Sequence, residues 1–548
     1  MLFQPDIAPV GGSLLWSALL AMLPLIAVFI TLGALNWKAH WACLFGVGVS
    51  LVVAVAFFKM PAGMAIASAT EGAAFGLFPI TWIVLTAIFL FELTVASGHH
   101  NDLMQAFNAI STDPRVLGVL IAFSFCALLE ALAGFGAPVA IVGVMLVALG
   151  FKPMKAALTV LVGNTFAVPF GAIATPILTG AKLTNFTAHE LGAFITRQTA
   201  VMGWVVPLLL LVIMDGRRGL KQVWPFGLVV GITYAAATWL SAQFISTELT
   251  NMIAALVSLA VGVGMLRIWQ PKGSVEAAEE LTGGTLAASS DSGAPLGFAK
   301  VAWALFPYLL IIAVFAVTQM VAPVKAALKA TDLPVHWPGL WDGDKVLALT
   351  ADGKEQASAL YAFGWLSSPG TLLLLTGVAV GLVYRMPFAQ IVKVFTTQVH
   401  KLRWTFVTVG SVLALAYVMN LSGQTLTIGK WIAGVGTLFA FFCPILGWIG
   451  TAVTGSGTST TALFSSLQQT AAQGVGVDPR LLIGANTAGG AVGKMISPQT
   501  LAIAASAVGG KESDMLRKAM PWSVALLVVL CLIVGLESTA ILGWILPK

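Results

Sequence analysis

Charge is what this chain has least of. Only 9% of its 548 residues are Asp, Glu, Lys or Arg, where a soluble domain carries about 25%. A mean hydropathy of +0.94, with 58% of residues hydrophobic, fits a lipid bilayer instead. Cysteine is scarce too, and Cys43, Cys126, Cys443 and Cys531 stand singly in apolar segments. None has the spacing of a disulfide framework or a metal clip, so they read as small packing residues. Neither a metal nor a cofactor is expected. Enzyme signatures are missing as well: there is no GxSxG elbow, and His189-Glu190 is followed by Leu-Gly-Ala and not by the second histidine of HExxH. GGAVGKM (489–495) fails the phosphate-loop pattern twice, because Ala488 stands where glycine is required and Met495 where Ser or Thr is. The chain is therefore expected not to be an enzyme, and any work it does must draw on an ion gradient or on its substrate's own gradient.

Apolar runs recur from end to end. Each is of the roughly 20 residues that cross a hydrocarbon core, so the first is expected to be a span and not a removable leader. An all-α polytopic membrane protein with about 12 to 14 crossings is expected. The formal charge of +6 comes from basic residues scattered through short polar stretches, which is a pattern of membrane orientation and not of nucleic-acid binding. DGRRGLK (215–221), Arg267 with Lys272, and the group Arg385, Lys393, Lys401 and Arg403 are read as cytoplasmic loops, with 323–368 outside. The stretch 271–299 is polar and acidic, rich in Gly, Ser and Ala, and is expected to be a flexible linker between a first half (1–270) and a second (300–548).

The halves share a pattern. ALAGFGAPVAI (131–141) is followed by GNTFAVPFGAIATP (163–176), and AVTGSGTSTTAL (452–463) by ANTAGGAVGKMISP (485–498). A shift of 322 places Asn164, Thr165, Gly171 and Pro176 on Asn486, Thr487, Gly493 and Pro498, and a shift of 321 places Gly134 and Gly136 on Gly455 and Gly457. An ancient duplication is expected, with two inverted repeats. Each would carry a re-entrant hairpin (about 131–150 and 452–475) and a broken helix (about 155–178 and 480–508). Paired interrupted segments of this kind mark a transporter's binding site.

Irregular backbone at membrane depth survives only where it is buried in protein or lines a cavity. Proline leaves a carbonyl four residues earlier without its helical donor, so Pro138, Pro169, Pro176 and Pro498 would free the carbonyls of Gly134, Thr165, Ala172 and Lys494. A half-helix starting after Gly455–Gly457 would aim free N–H groups at the cavity, which suits a carboxylate. Ser456, Thr458 and Ser459 are then neutral donors and acceptors at an anion site; the competing reading has such hydroxyls packing closely and bonding to their own helix. Charges within apolar segments are functional by default. Glu130 is the candidate for carrying a coupling proton, against a role bracing the hairpin. Lys494 either pairs with a substrate carboxylate or fixes the broken helix. Glu92 is read as structural, and His99 and His100 as interfacial.

At these motifs the chain resembles the bacterial L-lactate permease family. The matching stretches are LLEALAGFGAPVAI (128–141), GFKPMKAAL (150–158), NTFAVPFGAIATPI (164–177), MDGRRGLKQVWP (214–225), LTNMIAALVSL (249–259), GANTAGGAVGKMISPQTLAIA (484–504) and GGKESD (509–514), spread over almost the whole chain. The resemblance implies uptake of L-lactate, and of D-lactate and glycolate, with protons across the inner membrane by an elevator-type carrier. It supports Glu130, Gly134, Gly136, Asn164, Asn486, Thr487 and Lys494 as site positions. Where the family is expected to read TGSDTSSNALF, this chain has TGSGTSTTALF (454–464), with Gly457 in place of an aspartate and Thr461 in place of an asparagine. Without that aspartate, sodium coupling of another small organic anion stands as the alternative, with an anion channel behind it. The bilayer and a small carboxylate are the expected partners, and a homodimer is an assembly the reading leaves open.

Overall fold

The computed structural model describes every residue except Met1, Asn36, 100–109, Phe135, 284–297, 352, 354, 357–358, 547 and 548. His100 and the Gly/Ser/Ala-rich second half of the linker (284–297) therefore lie outside the described residues. Helices dominate, joined by two small antiparallel ribbons within 333–363: Leu333–His336 pairs with Leu360–Phe363, and Trp341–Asp342 with Lys345–Val346. Among the described residues, nine helices are at least 18 residues long and apolar enough to cross a membrane. Other expected crossings are shorter pieces, such as Pro153–Gly163, Thr250–Met265 and Pro369–Val383. Several of these helices open on a proline in the first turn, where its missing N–H costs nothing.

Three expected irregular stretches are ordered. DGRRGLK is a tight connection: Gly216 (φ 62°) breaks the run Val206–Phe244 into two helices that fold back on each other, so that a Cβ on Gly231 would stand 2.4 Å from the Trp204 carbonyl oxygen. Lys393, Lys401 and Arg403 lie on the first half of a 34-residue helix, Phe388–Leu421, because the polar face of an amphipathic helix satisfies them as well as a loop does. The beginning of the linker folds as Ser274–Thr282, with Ala277, Ala278 and Leu281 buried. Arg115, fully buried, gathers this end of the molecule. It pairs with Asp113 (2.7 Å) and Asp215 (3.1 Å) and donates to the Lys272 carbonyl (2.8 Å), while Arg218 pairs with Asp215 (2.6 Å) and Glu280 (2.7 Å).

Each glycine pair is a turn between two helices. Residues 114–133 and Ala137–Ala148 meet at Gly134 (φ 32°) and Gly136 (φ 93°), and Phe439–Thr454 and Gly457–Val475 meet at Gly455 (φ 72°). The segments 131–150 and 452–475 thus hold only the turn and the second arm. The first arms, 114–133 and 439–454, look like ordinary spans in sequence because they are uniformly apolar.

Each first arm lies on the first half of the broken helix that follows it, at backbone contact. A Cβ on Gly163 would stand 2.2 Å from the Ala122 carbonyl oxygen; one on Gly489 would stand 2.0 Å from that of Pro444, and one on Gly447 1.8 Å from that of Asn486. The second arms cross over. Helix 137–148 packs on Pro498–Val508, the end of the second broken helix, and helix 457–475 packs on Gly171–Leu183, the end of the first. A separate apolar group forms around helices 39–56, 62–75 and 388–421, where Gly72 lets the Leu413 carbonyl come within 2.5 Å of its ideal Cβ.

Backbone cannot retreat as a side chain can. Gly447→Ala is therefore expected to abolish monodisperse protein or to lower its Tm by several degrees in detergent. Gly264→Ala, at a helical position with nothing within 4 Å, should leave Tm within a degree or two or raise it through helix propensity. Equal Tm values for the two variants would refute the contact.

Candidate functional site

Both broken helices fail beside the glycine turns, Ala172 against Gly134 and Gln499 against Gly455, for different reasons. In the first, Asn164 ends Pro153–Gly163. A tight 3-10 turn, Thr165–Phe170, carries Pro169, and the chain then passes through three consecutive left-handed residues: Ala172 (φ 44°, ψ 56°), Ile173 (57°, 48°) and Ala174 (56°, 29°). That conformation costs about 1–2 kcal/mol at each residue with a Cβ. It is held by packing, since the Ala172 side chain lies against the Gly134 turn. In the second, Pro479–Lys494 stops three residues before Pro498, where Ser497 caps the next helix by accepting from Thr500 N.

The charges meet at these breaks. Lys494 Nζ donates to Glu130 Oε1 at 2.6 Å, with side chains only 6% and 2% exposed. Glu130 Oε2 accepts from Asn164 Nδ2 at 3.0 Å, and Asn164 Oδ1 accepts from the Cys126 thiol at 3.3 Å. Lys494 stands in the last turn of its helix, where the dipole favours a cation, whereas Glu130 stands in the last turn of its own, where the dipole opposes an anion. The lysine and the Asn164 amide therefore supply the partners that this buried carboxyl group has. Gly171 is required beside it, since a Cβ there would stand 2.7 Å from Glu130 Oε1.

A cavity of about 20 Å3 adjoins the pair, lined by Glu130, Lys494, Gly134, both sides of the Gly455 turn, Thr458, and Val168, Gly171, Ala172 and Pro176 of the first broken helix. That is space for about one water molecule. The amino end of helix 457–475 opens on it. Ser456 caps that helix by accepting from Ser459 N at 3.2 Å, and among the described residues the hydroxyls of Thr458 and Ser459 have no hydrogen-bond partner. Several neighbouring hydroxyls do bond to their own turn: Thr454 to the Gly450 carbonyl (2.7 Å), Thr460 to that of Ser456 (3.0 Å), and Ser465 to that of Thr461 (2.7 Å). The hydroxyl-rich stretch thus divides into a cap, two uncommitted hydroxyls near the tip, several hydroxyls bonded to their own turn, Ser466 bonded to the Leu183 carbonyl, and Thr461, whose hydroxyl is buried without a hydrogen bond among the described residues.

Of the residues picked out in sequence, Glu130, Gly134, Ser456, Thr458 and Lys494 line this cavity. Asn164 stands one bond behind, and Thr165 reaches a smaller adjoining cavity, shared with Asn164 and Lys494, while its hydroxyl bonds to the Leu161 carbonyl at 3.3 Å. Ser459 does not line the cavity. Gly136 packs against Ile503, with its ideal Cβ 2.4 Å from that side chain. Asn486 and Thr487 stand apart, two turns back along the second broken helix from Lys494. Thr487 bonds to the Ile483 carbonyl (3.0 Å), and the Asn486 side chain is fully buried without a hydrogen bond. The freed carbonyls are partly reclaimed as well, that of Ala172 by the Thr175 hydroxyl and that of Lys494 by Ser497 N at 3.2 Å. Of the other lining residues, Gly171 and Pro176 belong to the shared motif and Ala172 is marked only through its carbonyl, while nothing in the sequence marks Val168. Nothing in an Ala-Ile-Ala sequence signals a left-handed turn.

The model of the L-lactate permease family matches residues 17–541. The chain belongs to the L-lactate permease family. It is 38% identical to an L-lactate permease of Bacillus subtilis, covering 98% of this chain and 99% of that one, and 37% identical to a glycolate permease of Escherichia coli, covering 98% of each. An L-lactate permease of Escherichia coli is 37% identical with both chains fully covered. Among solved structures, the YdaH transporter of Alcanivorax borkumensis aligns over 98% of this chain and 99% of its own at 12% identity, with a TM-score of 0.44. As a member of a permease family with nine or more long apolar helices, the protein is a multi-pass transporter of the bacterial inner membrane and not an enzyme.

In this permease, removing one member of the buried pair leaves the other charge uncompensated, at a cost of about 3–5 kcal/mol, while replacing both costs less. Lys494→Met alone is expected to lower Tm in detergent by more than the double variant Glu130→Gln/Lys494→Met. A double variant as unstable as the sum of the two singles would show that the charges are not coupled.

Proposed function

We propose that this permease takes up L-lactate and related 2-hydroxymonocarboxylates, D-lactate and glycolate among them, by proton symport. The observation that carries the proposal is the Lys494–Glu130 contact at the mouth of the amino end of helix 457–475. A substrate carboxylate arriving there competes with Glu130 for the ammonium, and the free N–H groups of the helix end favour it. Once Lys494 turns to the substrate, Glu130 is a buried carboxylate beside an opposing helix dipole, with the Asn164 amide as its only donor. Uptake of a proton removes that cost. Substrate and proton therefore bind together, and neither is easily held alone. The Thr458 hydroxyl is placed to serve the substrate's 2-hydroxyl.

Glu130 is the only acidic side chain lining the cavity among the described residues, because Gly457 supplies none. That favours protons over sodium, as does the recapture of the Ala172 and Lys494 carbonyls that a bare cation would use. Gly457 itself has room: its ideal Cβ stands 3.5 Å from Val168 and 3.8 Å from Pro176. Packing at the Cβ therefore does not by itself require glycine there.

Contacts across the two halves support the inverted-repeat reading: 137–148 packs on the end of the second broken helix, and 457–475 packs on the end of the first as well as on the first half of the second. The cavity is far smaller than a lactate, so the two glycine turns must part from the broken helices for substrate to enter. In this reading the hairpin-bearing body then slides as an elevator against a frame built around helices 39–56, 62–75 and 388–421.

Glu130→Gln mimics the protonated acid. In proteoliposomes with an inward proton gradient it is expected to lose uphill accumulation of labelled L-lactate while retaining counterflow exchange. Normal uphill accumulation by this variant, or sodium-dependent accumulation by the unaltered protein, would refute proton coupling through Glu130.

A further inference from the structure

A second cavity, of about 380 Å3, opens on the same broken helix. Pro176 lines the central cavity, and Leu178, Ala181 and Lys182 line this one. Lys182 follows Pro176 by six residues, roughly 9 Å of helix. The broken helix begins at the basic end of the molecule, where Lys155 Nζ donates to the Met214 carbonyl at 2.6 Å, and Lys182 stands at its opposite end. If the basic end is cytoplasmic, this cavity faces outside.

The lining has two characters. Phe75, Phe78, Ile80, Ile83 and Phe186 make an apolar wall. Lys182 is the only cation and Asp332 the only anion among the described lining residues. The Asp332 carboxylate accepts from the Ser367 hydroxyl, and the Ser368 hydroxyl accepts from Gly370 N at 3.3 Å. No hydrogen bond or ion pair holds the Lys182 ammonium among the described residues. An unheld cation over an apolar floor suits a small monocarboxylate with a short apolar tail.

We infer that this cavity is an outer waiting site for the anion, in which Lys182 draws the carboxylate in and Asp332 sets how strongly. The inference rests on the carrier reading above. It makes the two charges act in opposite directions, which a merely structural role would not do. A cation at the mouth raises the local anion concentration, and salt screens the effect.

The test is the KM for L-lactate uptake into proteoliposomes at low ionic strength and at about 0.5 M salt, where screening is strong. Lys182→Gln is expected to raise the low-salt KM by roughly threefold to tenfold, at the weak end of electrostatic steering, with Vmax changed less than twofold. Lys182→Arg should restore the KM, Asp332→Asn should lower it, and the differences should shrink at high salt. A Lys182→Gln protein with unaltered low-salt KM, or an Asp332→Asn change in the same direction as Lys182→Gln, would overturn the waiting site while leaving the carrier intact. An unaltered protein that moves no 2-hydroxymonocarboxylate would overturn both.

Discussion

One contact organises this permease: a lysine and a glutamate 364 positions apart in the chain, 2.6 Å from each other with almost no exposure to solvent. Two charges in such a place are tolerable only together and only with further hydrogen bonds. To bring them there, two helices must stop at the middle of the molecule, and both stopping points need residues that let backbone approach backbone. The glycines of the turns, Gly171 beside the carboxylate, Gly447 in the first arm of the second hairpin and Gly489 beneath that arm all serve that approach. The strained turn at Ala172–Ala174 belongs to the same requirement, since it brings the first broken helix against the Gly134 turn.

The two halves of the chain do not contribute equally. Under the shifts of 321 and 322 that superpose their motifs, Glu130 falls on Thr451 and Lys494 on Ala172. The first half thus supplies the acid and the second the base, and each is answered by a neutral residue. This accounts for a difference between the paired asparagines. Asn164 has a carboxylate to donate to, whereas Asn486 has none, because Thr451 spends its hydroxyl on Thr460 at 2.8 Å. On the proposed duplication, one charge in each half yields a single polar centre, as the proposed carriage of one monovalent anion requires.

Much of this centre was legible from the residues alone. Glycine pairs, proline breaks and isolated charges in apolar runs are rare in membrane segments and each has a specific physical consequence, so Glu130, Lys494, Gly134, Ser456 and Thr458 could be picked out before any coordinates. What could not be read depends on tertiary context. The Asn486–Thr487 pair copies Asn164–Thr165 in sequence, yet a copied motif shares a role only if its neighbours are copied too. The left-handed turn has no sequence signal because packing imposes it against local preference. The first arms of the hairpins resemble plain spans, since their burial is decided by what surrounds them. The long helix 388–421 hides its continuity behind basic residues that suggest a loop.

In the proposed mechanism an arriving anion takes Lys494 from Glu130, and Glu130 then takes a proton. The most direct measurement is the proton uptake of the purified protein on adding L-lactate in weakly buffered, sodium-free solution near neutral pH. The account predicts uptake of about one proton per lactate bound, lost in Glu130→Gln. Saturable lactate binding with no proton uptake by the unaltered protein would contradict it.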